Sequence, residues 1–181
     1  MKRDVRKKIH FPLLEETILE LKAGDLVLAY GIVFTARDQA HREIVEFLKK
    51  KERLPFSLSG STIFYCGPTF KEGKVTSCGP TTSSRMDSFV PFLVRKGLKG
   101  MIGKGRRSEK VISACRKYKS LYFAAPAGCA AVLSQCITDY ELIGFEDLGP
   151  EAIYKFIIKD FPLIVVIDAR GNYLYSQNEY V

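Results

Sequence analysis

Apolar positions alternate in character along the chain, and the alternation predicts strands interleaved with helices. Leu26 to Phe34 is an apolar run around Gly31 and predicts a strand. After it, Ala40, Ile44, Phe47 and Leu48 recur at helical spacing through Lys51, with Thr35 placed as an N-cap and Asp38 three residues on. Arg37 then falls in the first helical turn. Thr62 to Cys66 and Lys74 to Cys78 are short strand patterns. Asp87 suits the cap of a helix with Pro91 in its first turn and Gly97 at its end. Strands are expected at Leu98 to Ile102 and Leu121 to Ala125, with a helix between them over 108–118. Beyond them the pattern predicts a helix from Ala127 to Cys136, a strand from Tyr140 to Phe145 and a helix from Glu151 to Lys159. Strands at Leu163 to Ala169 and Tyr173 to Ser176 follow. The chain reads as a single α/β domain spanning residues 1–181, with a partly parallel sheet flanked by helices and a basic lead over 1–10.

Three of the strand ends carry a basic residue on small-residue backbone. Thr35-Ala36-Arg37-Asp38-Gln39-Ala40-His41 follows the first strand, and Gly103-Lys104-Gly105 follows the apolar run 98–102. Between them lies Cys78-Gly79-Pro80-Thr81-Thr82-Ser83-Ser84-Arg85-Met86-Asp87, a run of small hydroxyl residues closed by an arginine. Such segments let backbone approach a ligand and offer it hydroxyls, N–H groups and a forked cation. Placed at strand ends, Arg37, Arg85 and Lys104 suggest a pocket for a small dianion, in the crevice where open α/β sheets bind ligands. The glycine-bracketed lysine lacks the GxxxxGK[ST] frame of a nucleotide loop. No GxSxG elbow supports a hydrolase.

At 181 residues with 46% hydrophobic content the chain can bury a proper core. No apolar stretch reaches the roughly 20 residues of a membrane span, and no signal-like region follows the basic lead, so a cytoplasmic protein is expected. Cys66, Cys78, Cys115, Cys129 and Cys136 form no CxxC pair, and with only His10 and His41 beside them no metal site is expected on this chain. The net charge of +8 includes a cluster of Arg95, Lys96, Lys99, Lys104, Arg106 and Arg107. Its lack of interleaved aromatics favours an acidic partner or anionic substrate over nucleic acid, which stays as the alternative for a stand-alone binding module.

TARDQAH, YCGPT, GPTTSSRMD, KGMIGKG, LGPEAIYKF and FPLIVVIDARGNYLY run in that order through most of the chain, in a resemblance that covers roughly residues 11–178. Together they resemble the β subunit, or C-terminal domain, of the class I iron–sulfur fumarase and L-tartrate dehydratase family. That resemblance implies a swivelling β/β/α fold and a reversible hydro-lyase for a four-carbon dicarboxylate. It also implies a partner α subunit, in an α2β2 assembly, that holds a 4Fe–4S cluster through its own cysteines. Carried over by position, Arg37, Arg85 and Lys104 would bind the substrate carboxylates and Thr81 would take the C3 proton of malate. His41 would sit behind them, orienting Arg37 or a carboxylate. Neither nucleic acid nor a membrane is an expected partner.

Overall fold

A computed structural model describes residues 6–177. Its main sheet has seven strands: β1 (Lys7–Phe11), β2 (Leu26–Thr35), β3 (Thr62–Phe64), β6 (Gly100–Gly103), β7 (Leu121–Ala124), β8 (Ile137–Gly144) and β9 (Ile153–Ile167). A hairpin of β4 (Thr69–Lys71) and β5 (Lys74–Ser77) stands apart. The helices are α1 (Glu15–Glu20), α2 (Asp38–Lys50), α3 (Val90–Arg95), α4 (Glu109–Tyr118) and α5 (Ala130–Ser134). The sheet order is β1-β2-β3-β6-β7-β9-β8, with β9 also paired to β2. Strands β2, β3, β6 and β7 are mutually parallel, and antiparallel β9 joins β7 back to β2. Five strands thereby close into a ring.

The period of two divides each ring strand between two cores. Phe64, Ile102 and Phe123 face an inner cluster with Phe11, Val27, Phe156 and Phe161. Their neighbours Ile63, Met101 and Tyr122 face the opposite side, where α2, α3 and α4 add Ile44, Leu93 and Val111. Each fully buried side chain of this kind contributes roughly 1.5–3 kcal/mol. The amphipathic stripe of α2 is therefore the reason its apolar face lies on the sheet.

Gly31 is required by the ring's geometry. Its φ is +99°, β2 shifts register against β9 between Ala29 and Gly31, and a Cβ there would stand 2.1 Å from the Phe11 carbonyl oxygen. Only glycine fits both the left-handed backbone and the close parallel strand β1.

Several expectations are corrected. In place of the helix expected over 151–159, Glu151 ends a 3-10 segment and residues 153–159 are the first half of β9, a strand of 15 residues. Ile153, Phe156 and Ile157 have a helix-like spacing, but pairing to β2 on one edge and β8 on the other decides the conformation. Tyr173 makes one bridge to Ile167, and Leu174–Gln177 is a 3-10 turn rather than a strand. Within the basic lead, Lys7–Phe11 is strand β1; residues 1–5 lie outside the described residues. The helix expected at 127–136 is confined to α5, and β8 begins three residues before the expected Tyr140. Thr35 is not an N-cap: it ends β2, its buried hydroxyl donating to Ala152 O (3.3 Å) and accepting from Tyr154 N (3.0 Å). Arg37, expected in the first turn, takes the N-cap position. Asp87 does not cap α3, since its carboxylate bonds to Arg107 and Ser108. Among the described residues no helix is long and apolar enough to cross a membrane.

Candidate active site

Because β2, β3 and β6 are parallel neighbours, their carboxyl ends share one edge, and the four residues singled out from sequence arrive there. Arg37 lies two residues beyond β2, and Lys104 directly follows β6. The segment carrying Thr81 and Arg85 crosses this edge: Thr81 N donates to Tyr65 O just past β3 (2.7 Å). Lys104 N reaches Thr81 O at 3.3 Å, and Ser83 N donates to Lys104 O at 2.9 Å. A parallel bridge pairs Thr82 with Lys104. Thr81 and Lys104 are thus stitched together through their backbones.

Arg85 joins the same edge through Asp38. Its Nε donates to Asp38 Oδ1 at 2.9 Å, and its Nη2 stands 2.7 Å from Oδ2 in a forked ion pair. Asp38 is the residue after Arg37, so one carboxylate links the two arginine-bearing segments. The Arg37 guanidinium lies over Gly67, whose missing side chain makes the room: a Cβ there would be 2.8 Å from Arg37 Nη1. Its Nη2 is 3.9 Å from Glu151 Oε1, and its buried Nε has no hydrogen-bond partner among the described residues. Glu151 is fixed in turn by accepting from Gln39 N at 2.8 Å. Arg85 is about half exposed (49%) and Arg37 a quarter (26%), so both can meet a solute. A surface cavity of about 740 Å³ opens elsewhere, lined by Lys22, Glu109, Asp168, Asn172 and Tyr173, and includes none of the four.

His41 is fully buried one turn into α2. Its Nδ1 lies 2.8 Å from the Arg37 carbonyl oxygen, which also accepts from His41 N. Nδ1 is consequently the protonated nitrogen, and the ring holds the Arg37 backbone, not its guanidinium or a carboxylate. Burial is the largest influence on this imidazole and lowers its pKa to about 4, from 6.5, against the opposing pull of the Arg37 carbonyl. The unfolded chain takes up the proton near pH 6.5 and the native chain only near 4. Stability from this group is therefore complete above about pH 6.5 and is lost as pH falls toward 4, by about 3 kcal/mol in all. Urea unfolding across that window should show the slope in the wild type and a flattened one in His41→Asn, which keeps a donor for Arg37 O. An unchanged slope would contradict the assignment.

Sequence reasoning missed the layer beneath. Arg107, counted with the surface basic cluster, has no exposed side-chain surface. Its Nε donates to Asp87 Oδ1 at 2.7 Å, and the guanidinium lies 5.5 and 4.7 Å from the Tyr65 and Tyr122 ring centres. Burial works against this charge, but Asp87 and the two tyrosines more than offset it. Asp87 Oδ2 also accepts from Ser108 N at 2.7 Å, fixing the start of α4. The one available signal was the spacing: Asp87 ends the Thr81 segment and Arg107 ends the Lys104 loop. The rest of the basic cluster is dispersed. Lys99 donates to the carbonyls of Tyr118 and Lys119, and Arg95 and Lys96 lie against Phe92.

The cysteines do not fit an iron–sulfur cluster. Among the described residues no group of three or more His, Cys, Asp or Glu stands together. Burial pushes the Cys78 and Cys115 thiols up to about 12 and raises Cys66 well above the usual thiol range, which disfavours the thiolate that metal ligation needs.

Known proteins are similar to this chain over most of its length. A family model described as Fumarase C-terminus matches residues 2–178. The L(+)-tartrate dehydratase subunit beta of Escherichia coli is 34% identical over 97% of this chain and 89% of its own length. A relative in Methanocaldococcus jannaschii, provisionally named a β subunit of the same enzyme, is 38% identical over 91% of this chain and 89% of its own length. Fumarate hydratase 2 of Leishmania major is 36% identical over 91% of this chain, which matches only 30% of that longer protein. With a family model matching residues 2–178 and relatives 34–38% identical over most of its length, the chain belongs to the fumarase C-terminus family.

Proposed function

We propose that the chain is the β-type subunit of a hydro-lyase that interconverts fumarate and L-malate, supplying the carboxylate-binding cations and the proton-transferring threonine. The observation that carries this reading is the meeting of Arg37, Thr81, Arg85 and Lys104 where β2, β3 and β6 end. Two carboxylates of a four-carbon diacid can pair with separate cations, the arginines by their planar forks and Lys104 as a point charge. Such pairing withdraws electron density and acidifies the C3–H bond of malate.

In the dehydrating direction, Thr81 Oγ1 acts as the alkoxide and takes the C3 proton. The C3–H electrons become the second bond of C2=C3, and the C2 hydroxyl leaves with its bonding pair. In hydration the same hydroxyl returns a proton to C3. An alkoxide is costly at neutral pH, and the adjacent Lys104 and Arg85 supply the field that lowers the cost. L-tartrate, with a second hydroxyl on the same carbon skeleton, is the alternative substrate, favoured by the names of the bacterial relatives.

The site edge is open to solvent on this chain, so a second subunit would complete it. The partner expected there is an iron–sulfur α subunit in an α2β2 assembly in the cytoplasm; the buried thiols of Cys66, Cys78 and Cys115 on this chain are poor ligands for such a cluster. Anaerobic reconstitution with an iron–sulfur α subunit of this family from the same genome, assayed on malate, fumarate and both tartrates, tests the reading. The chain alone should be inactive and the complex active. An inactive, well-assembled complex would overturn the proposal, as would salt-sensitive retention on nucleic acid with no such partner.

A further inference from the structure

We propose that Ser83 and Tyr122 are positioning residues that set the distance between Thr81 and Lys104, a role that rests on the functional reading above. Both are fully buried. Ser83 grips Lys104 by both sides of its backbone: its hydroxyl accepts from Lys104 N at 3.0 Å, and its N–H donates to Lys104 O at 2.9 Å. Tyr122, on the rigid strand β7, places its hydroxyl 3.0 Å from Ser83 Oγ and 3.0 Å from Gly105 O. Hydrogen bookkeeping then leaves one arrangement. Gly105 O can only accept, so Tyr122 donates to it. Ser83 must therefore donate to Tyr122 Oη while accepting from Lys104 N. The Lys104 N–H is shared between Ser83 Oγ and the more distant Thr81 O, and the bridge holds both Lys104 and the Gly105 that follows it.

The space around this bridge is fitted to it. A Cβ on Gly103 would lie 2.0 Å from Ser83 Oγ and 2.9 Å from Tyr65 Cδ2, so the loop comes this close only because residue 103 has no side chain. Arg107 stacks over the Tyr122 ring at 4.7 Å and ties the loop's far end to Asp87, on the Thr81 segment. Burial raises the Tyr122 phenol above its ordinary range, so the bridge keeps its hydrogens throughout the working pH range. A loop tied at a strand residue, not at another loop, holds its lysine to a fraction of an ångström, the tolerance that oriented catalysis demands.

The test is a kinetic double-mutant cycle in the reconstituted complex, with Tyr122→Phe, Lys104→Ala and the double variant. Tyr122→Phe should lower kcat/KM about tenfold, chiefly through KM, because a displaced Lys104 grips its carboxylate less well. In the Lys104→Ala background the same change should cost nothing further. Should Tyr122→Phe prevent assembly, Ser83→Ala supplies the same cycle, since it keeps the bond from Tyr122 to Gly105 and leaves Lys104 N facing Thr81 O. If Lys104→Ala impairs the enzyme but the Tyr122 effect is absent, or persists undiminished in the double variant, the positioning role is wrong and the site reading stands. If Lys104→Ala leaves kinetics unchanged, the site reading itself fails.

Discussion

Thr81→Ala will lower kcat of the assembled enzyme by a factor on the order of 10²–10⁴, the usual contribution of a positioned acid–base group. Thr81→Ser will retain much of the activity. The hydroxyl is common to serine and threonine, and the backbone around residue 81 is held independently of its side chain. Tyr65 O accepts from Thr81 N, and Thr81 O faces Lys104 N, so neither exchange should disturb the loop. Substrate binding should suffer less than turnover, because Arg37, Arg85 and Lys104 remain in place. Steady-state kinetics of the two variants decides the matter. An alanine variant with wild-type kcat would remove Thr81 from the chemistry, and a serine variant as poor as alanine would point to packing by the methyl group.

The largest effect on stability is expected at Asp87. Its carboxylate is the hydrogen-bonding partner of the Arg107 Nε, while Nη1 and Nη2 are buried without hydrogen-bond partners among the described residues. Asp87→Ala strands that guanidinium in the interior, at a cost of about 3–5 kcal/mol. For a chain of this size the cost corresponds to a fall in Tm on the order of 10 °C. Replacing both, as Asp87→Leu with Arg107→Leu, should cost less than either single removal, since no uncompensated charge is left behind. Thermal unfolding of the single and double variants provides the comparison. A single variant within about 1 °C of wild type would show that solvent reaches the pair after all.

These two residues also mark where sequence reading reaches its limit. The strand ends could be located because β2 is a continuous apolar run, and α2 because its buried positions recur every three to four residues. Small-residue segments with a cation after each strand then pointed to one edge, and the structure brings Arg37, Thr81, Arg85 and Lys104 to it. Arg107 could not be found this way. It sits one residue from Arg106 in a basic run, and nothing local distinguishes a buried arginine from a solvated one. Its burial depends on Asp87, twenty residues earlier, and on two tyrosines, one just past β3 and one on β7. The mistaken helix at 151–159 has a related cause. Ile153, Phe156 and Ile157 fit a helical stripe locally, and only pairing with β2 and β8 selects the strand. The ring of His41, one helical turn after Arg37, meets the Arg37 backbone carbonyl, an atom that the expected role of orienting Arg37 did not specify.

The arrangement of Arg85 and Asp38 bears on how substrate enters. The forked pair orients Arg85 along the site edge while leaving it half exposed. Exposed pairs of this type are individually weak, so a carboxylate of substrate can share or displace Asp38 at modest cost. Arg37 is less exposed, its Nε is without a hydrogen-bond partner among the described residues, and it is the better candidate for a contact made only if a partner subunit covers this edge.

Competitive inhibition by succinate, a saturated four-carbon dicarboxylate that cannot react, addresses dianion binding without involving turnover. In the reconstituted complex, its inhibition constant should rise roughly tenfold or more in Arg85→Ala and again in Lys104→Ala, while a monocarboxylate of similar size should discriminate less between the variants. Unchanged succinate inhibition in both variants would mean that these cations do not grip the diacid, and the account of the site would be wrong.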